Sequence, residues 1–468
     1  MLGAVRAEPS PGRATPAAAP PSDPDPRLLD PASDDSGPAE EIEDALVDGD
    51  RAFAPGSARA ALRHKVFRRV FAGAFLSNIG TWMQNVVLGA LAYDLTESPT
   101  FVGVILFAQL GPLLLFSVVG GALADTVDRK RLLVSVALSQ LVLSFVLAAV
   151  AAPERPNQVA LVVVVFAIGV GQALFNPAYS AMLPQLVGHD DLPGAIALHS
   201  AQMNGSRVIG PVIGALLDSM VGASAVFAFN GLTYLFVVAS LLSVHLPAPV
   251  VYASAKRGWH RLSAGIDVAR RDVVVRRCLV TIVTFSLVAL TFVGQFPVVA
   301  ERNLGIDERS AAYGALYACF GFGAVVGALS IGTVFSQRSK ERIVQASLLA
   351  YAVALTAFAL VRTAALAYPI VLLVGLTYFA FITSLSTVLQ QNLDDHERGS
   401  VTALWIMGFG GTVPIGNLLA GPIIEATSMT AVMLVGAVCA LALVPYARLS
   451  RPQPEAAAVG GHCDLHAA

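Results

Sequence analysis

The chain has 468 residues, 55% of them hydrophobic and only 13% charged, with a net charge of −2 and a mean hydropathy of +0.68. Soluble domains carry about 25% charged residues, so this composition excludes an ordinary water-soluble fold, and the near-neutral charge excludes a nucleic-acid partner. The four cysteines, Cys278, Cys319, Cys439 and Cys463, have no metal or disulfide spacing and read as small apolar residues, so neither a metal nor a cofactor is expected.

Residues 1–62 are rich in Pro, Ala, Asp and Glu and lack the apolar core of a signal peptide. Such a stretch cannot bury enough surface to offset its ordering entropy, and it is expected to be a disordered acidic tail. A helix needs about 20 apolar residues to cross a bilayer. That ruler gives twelve candidate spans, near 68–93, 100–123, 130–152, 158–181, 195–217, 224–246, 276–300, 310–335, 342–362, 366–389, 399–424 and 429–447. Helices are the economical choice, because isolated strands leave backbone groups unpaired in lipid.

Between the second and third spans the chain reads Gly120-Gly121-Ala122-Leu123-Ala124-Asp125-Thr126-Val127-Asp128-Arg129-Lys130-Arg131. Its charges belong at a membrane surface, so a turn of about seven residues is expected here. The spans at 195–217 and 399–424 are interrupted by Gly, Ser, Asn and Arg, which suits helices facing other helices or a cavity. In alternating order, one side of the membrane receives twenty Lys and Arg, and the other receives four: Arg155, Arg302, Arg309 and Arg362. This bias places both termini in the cytoplasm and supports an even number of spans.

The longest internal connection, 247–275, follows six spans. Within it Trp259, Leu262, Ile266 and Ala269 have helical spacing beside a basic face. An interfacial helix or a solvated linker both fit. The two sides of this linker echo each other: Gly210-Pro211 in the fifth span and Gly421-Pro422 in the eleventh, Gly121-Ala122-Leu123 and Gly327-Ala328-Leu329. The expected fold is therefore an all-α membrane protein of twelve helices in two pseudo-symmetric six-helix bundles. The expected boundaries are 63–246, a cytoplasmic linker at 247–275, 276–448 and a cytoplasmic tail at 449–468. Transporters built from such repeats place substrate near the midplane between the halves.

Over about 65–448 the order of features resembles the major facilitator superfamily. It is most similar to the transmembrane secretion-effector branch, which includes macrolide efflux pumps and enterobactin-type siderophore exporters. The resemblance rests on Asn78-Ile79-Gly80-Thr81-Trp82-Met83-Gln84, Tyr93-Asp94-Leu95-Thr96-Glu97-Ser98-Pro99, the charged turn, Asn176-Pro177-Ala178 and Gly205-Ser206-Arg207-Val208-Ile209-Gly210-Pro211. It implies a multi-pass plasma-membrane exporter of a small amphipathic molecule, a drug, siderophore or secondary metabolite; an importer of a small solute on the same fold is the alternative. It also implies alternating access with proton antiport, no enzymatic activity, and a monomer in the bilayer.

The resemblance further implies a conformational gate at Asp125, with Gly121, Asp128, Arg129 and Lys130. Ile331 stands where the second half would repeat the Asp, so the latch is expected to be one-sided. Gly205, Gly210, Pro211 and Gly214 form a packing hinge on the fifth span, because small residues let backbones approach and Pro removes an internal hydrogen bond. Arg207 is a full charge inside a span, a costly placement that favours a cavity or a partner. With Gln84, Asn85 and Asp94 it is the candidate for substrate binding or coupling. Neighbours on a helix point about 100° apart, so one of Gln84 and Asn85 is expected to line the cavity. No carboxylate sits mid-span to carry a coupling proton, and His199, His260 and His396 are isolated. No hydrolase, zinc-protease or phosphate-loop motif supports an intramembrane enzyme.

Overall fold

Capping chemistry sets the helix boundaries. In the computed structural model, which describes residues 56–244 and 258–449, most turns carry a Ser, Asn or Asp whose side chain accepts from an otherwise unpaired amide. Ser98 does this for Phe101, with Pro99 opening the helix; Asp128 for Arg131; Asn157 for Ala160; Ser310 for Tyr313; and Ser428 for Ala431. Each such cap is worth about 1 kcal/mol.

The first half runs α1 (Ala58–Arg63), α2 (Lys65–Thr96), α3 (Pro99–Thr126), α4 (Arg129–Ala151), α5 (Gln158–Val187), α6 (Leu192–Val221) and α7 (Ala223–Leu242). The linker holds α8 (Gly258–Arg271), and α9 begins at Val273–Thr284. The second half continues with α10 (Ala311–Gly332), α11 (Lys340–Leu360), α12 (Ala364–Gln391), α13 (Asp395–Ala426) and α14 (Met429–Tyr446). No strand occurs among the described residues. Among the described residues, eight of these helices are long and apolar enough to cross a membrane: α4, α5, α7, α10, α11, α12, α13 and α14. Helix α6 owes its lower hydropathy to His199, Asn204, Arg207 and Asp218.

Three local features differ from the sequence expectation. Helix α1 begins inside the stretch expected to be disordered, where the Ser57 side chain accepts from the Ala60 amide; residues 1–55 of that stretch lie outside the described residues. The seventh span is a broken rod. After Val273–Thr284 it passes through π-helical turns at Phe285–Ala289 and Val299–Asn303, around short α segments Thr291–Gly294 and Phe296–Val298. Pro297 removes one backbone donor and Gly294 adds freedom, so the ladder re-registers. In α8 the buried positions are Gly265 and Val268, while Ile266 is 42% exposed. Gly265 packs against Ser400 and Leu404 of α13.

The two halves meet along α3 with α13 and α6 with α10. Helix α6 also packs on α2. A Cβ at Gly210 would meet Trp82 Cβ at 2.5 Å and the Ile79 carbonyl at 2.9 Å, and one at Gly214 would meet Met83 Cα at 2.9 Å. On its other side, α6 offers the Pro211 carbonyl to Gly314 of α10. Gly205 does not belong to this contact, since the nearest atom to a Cβ there is Phe75 at 3.8 Å. The packing counterpart of Gly210 is Gly416, which abuts the Leu287 backbone of α9; Gly421 instead meets Pro99 and Thr100 of α3. Gly210→Val is therefore expected to destabilise the purified protein by about 1–3 kcal/mol through overpacking, whereas Gly205→Ala leaves its melting temperature within error. Equal melting shifts for the two variants would rule out this assignment.

Candidate functional site

Call the terminal end of the bundle the one that carries α1 and the α3–α4 turn, and the far end the opposite one. At the far end the seam between the halves is bolted by charge. Arg309, in the connection before α10, places Nη1 at 3.2 Å from Asp94 Oδ2 at the end of α2. Its Nη2 lies 3.7 Å from Asp218 Oδ1 at the end of α6. The Asp218 side chain is only 2% exposed, so its charge depends on this partner. Nearby, Arg302 Nη2 donates to the Glu97 carbonyl at 2.8 Å and its Nε to Tyr93 Oη at 2.9 Å. Glu425 of α13 accepts from the Ser98 hydroxyl and from the Thr100 amide. The break in α9 lets Gln295 donate to the Pro99 carbonyl at 3.0 Å. Of this set, Asp94 is the residue the sequence groups with Arg207, Gln84 and Asn85. Arg309 acts from a loop whose position no pattern specifies.

Deeper in the seam, Arg207 lies between two aromatic rings. Its guanidinium carbon is 5.1 Å from the Trp82 ring centroid and 5.5 Å from that of Phe379. Both are within cation–π range. Its Nε is buried without a hydrogen-bond partner, and among the described residues no carboxylate forms an ion pair with it. Beside this clamp lies a cavity of about 140 Å³ bounded by helices of both halves. Trp82 and Asn85 face it from α2, Gln109 from α3, Pro297 from α9, Tyr317 from α10 and Val413 from α13. Asn85 accepts from the Gln109 amide on the cavity wall. Gln84 points elsewhere: its Oε1 accepts from Asn230 at 2.8 Å and Ser144 at 3.4 Å inside the first half. Gln84 is thus part of a buried network, and Asn85 is the one of the pair that faces the cavity. Phe292 and Phe296 of α9 are buried in the core of the second half.

At the terminal end, α3 stays helical through Gly121 and Asp125, so the turn shrinks to Val127 and Asp128. The Ala and Leu residues around Asp125 are good helix formers, which accounts for the extension. Asp128 caps α4 by accepting from the Arg131 amide at 3.0 Å. Arg129 donates to the Ala181 carbonyl at 2.9 Å and Lys130 to the Val244 carbonyl at 2.6 Å. These two cations thus tie the start of α4 to the ends of α5 and α7. In the second half, Lys340 donates to the carbonyls of Phe335 at 2.5 Å and Ser336 at 3.0 Å, just past α10.

Asp191, just before α6, anchors the first described segment. Its Oδ2 lies 2.8 Å from His64 Nε2 and its Oδ1 accepts from the Gly56 amide at 3.1 Å. The hydrogen bond from His64, then that from Gly56, holds this carboxyl below its usual range. A depressed carboxyl contributes fully above its unfolded pKa and loses that contribution as pH falls through the folded value. Amide exchange at residues 56–64 should therefore accelerate below about pH 4, and Asp191→Asn should remove that pH dependence. An unchanged profile in the variant would show that another group controls α1.

Residues 56–464 match the family described as transmembrane secretion effector. The chain is 23% identical over 350 residues to the staphyloferrin A transporter of Staphylococcus aureus, covering 75% of this chain and 87% of that protein. It is 25% identical over 410 residues to the enterobactin exporter EntS of Shigella flexneri, covering 84% and 96%. Among solved structures, the nucleoside transporter NupG aligns with a TM-score of 0.65 at 13% identity, over 82% of this chain and 99% of that one. A POT family transporter aligns with a TM-score of 0.61 at 12% identity, over 81% and 94%.

Proposed function

The chain belongs to the transmembrane secretion effector family of major facilitator transporters, and on that premise we propose that it exports a small amphipathic anion of the siderophore or drug class in exchange for protons. One observation carries the cargo reading. Arg207 is a cation without a carboxylate partner among the described residues, held between Trp82 and Phe379 beside a cavity shared by both halves. A cation flanked by aromatic faces suits an anion attached to an apolar or aromatic body. The enterobactin exporter is the relative that motivates this class.

In this reading the protein works alone in the cell membrane, as a transporter with no catalytic step. The Lys and Arg bias puts the terminal end in the cytoplasm, so the Arg309 bolt closes the external side. Asp125 is assigned to the cytoplasmic gate, with Gly121 giving close approach and Asp128, Arg129 and Lys130 fixing the adjoining helix ends. The halves at 63–246 and 276–448 move against each other around the cavity.

Proteoliposomes test the reading with iron-free enterobactin as probe. Accumulation driven by an imposed pH gradient, and abolished when the gradient is collapsed, is the expected result. Asp125→Asn should lower that flux several-fold at unchanged protein content. Flux independent of the gradient would overturn proton exchange, and an Asp125→Asn variant with normal flux would overturn the gate. An importer would move the probe in the opposite direction under the same gradient.

A further inference from the structure

A second, smaller and partly open cavity is lined by first-half helices alone, α2, α5, α6 and α7. Its volume is about 40 Å³. A buried water needs about 10–15 Å³ by this measure, so the space suits about three waters and no drug-sized molecule. One wall is satisfied: Gln172 donates to Tyr234 Oη at 3.1 Å, and Thr81 Oγ1 lies 3.2 Å from the same oxygen. The facing wall is not. Tyr179 Oη, His199 Nδ1 and Gln202 Oε1 are all buried there without a partner. Tyr179 is 3% and Gln202 4% exposed, and the His199 ring lies 5.2 Å from that of Tyr179.

Buried polar atoms in native proteins are rarely left unpaired, and three around one small space point to an occupant. On the reading of the chain as a proton-coupled exporter, we propose that this cavity is a water-filled proton site and that His199 carries the proton exchanged for cargo. The lining is otherwise uncharged. Tyr179 from α5 and Tyr234 from α7 are the titratable groups facing His199, and the polar residues α2 contributes are Ser77, Asn78 and Thr81. Imidazole is the one group here that gains and returns a proton near neutral pH. The step balances simply: a proton delivered through the cavity water adds to the ring, giving imidazolium, and leaves to water after the conformational change. Gln202 and Tyr179 supply the acceptors that hold that water. This site fills the place for which the sequence offers no mid-span carboxylate. His199 lies eight residues from Arg207 on the same helix, about 12 Å along its axis.

Two measurements test the proposal. In nanodiscs holding the protein with isotope-labelled histidine, the imidazole signal missing from His199→Gln is identified and titrated in the wild type. It should move reversibly between about pH 5 and pH 9; a signal fixed across that range overturns the proposal whatever the cargo. In proteoliposomes with enterobactin as probe, His199→Gln should lose at least tenfold of the pH-driven accumulation while keeping exchange at equal pH within twofold of wild type. Retained accumulation overturns the proposal, and so does loss of both activities, which marks a structural residue. Wild-type protein that exchanges enterobactin without responding to a pH gradient overturns both this proposal and proton exchange. Wild-type protein that ignores enterobactin counts against the cargo class alone, and the histidine titration then decides the site.

Discussion

Arg309→Ala is expected to unlatch the far end of the seam and to destabilise the closed arrangement by about 3–5 kcal/mol, the usual cost of stripping a buried charge of its partner. The argument turns on the difference between its two carboxylates. The Asp94 side chain is 38% exposed and Asp218 only 2%. Solvent can replace the guanidinium at Asp94, where a pair is worth at most about 1 kcal/mol; it cannot do so at Asp218 while the seam stays shut. Spin labels at Arg155→Cys and Thr427→Cys, in a cysteine-free background, report the opening, since both positions are exposed in far-end connections of opposite halves. A second, longer distance should appear in Arg309→Ala. Arg309→Gln combined with Asp218→Asn should suppress it, because no charge is then stranded. A single short distance in Arg309→Ala would show that α3–α13 packing alone holds the seam.

The second large effect has opposite signs in two assays. Arg207→Ala should abolish transport of anionic cargo while raising the melting temperature. Its guanidinium occupies the middle of α6 with a buried Nε lacking a partner, an arrangement that costs stability and is retained where function needs it. Arg207→Lys keeps the charge but loses the planar stack on Trp82 and Phe379, so its affinity for an anionic aromatic probe should be intermediate, as read by equilibrium binding. A variant that melts lower and still transports would make Arg207 a structural residue.

The sequence announces some of this machinery and hides the rest for identifiable reasons. Lys and Arg segregation and apolar length are local signals, and the twelve-helix fold is legible from them. Arg207 stood out because a full charge in an apolar run is conspicuous. The Gly210 contact was legible as small-residue spacing, but Gly205 shares that spacing and touches little, since spacing does not say which face meets a neighbour. The same ambiguity hid which of Gln84 and Asn85 faces the cavity. His199 and Gln202 stand at helical spacing on α6, a pattern available in the sequence, yet their cavity exists only because Tyr179 and Tyr234 arrive from α5 and α7. The Arg309 bolt joins residues 94, 218 and 309 through tertiary proximity alone.

Helix α6 carries His199, Arg207 and Asp218 on one rod, eight and then eleven residues apart. At 1.5 Å per residue the outer two stand about 28 Å apart, close to the thickness of a bilayer's hydrocarbon core. The helix is thus a lever with three stations, and a rigid tilt moves all of them in one stroke. On the roles proposed above, a pull on the Asp218 end would be felt at His199, and α6 by itself would couple the external seam, the Arg207 seat and the proton site.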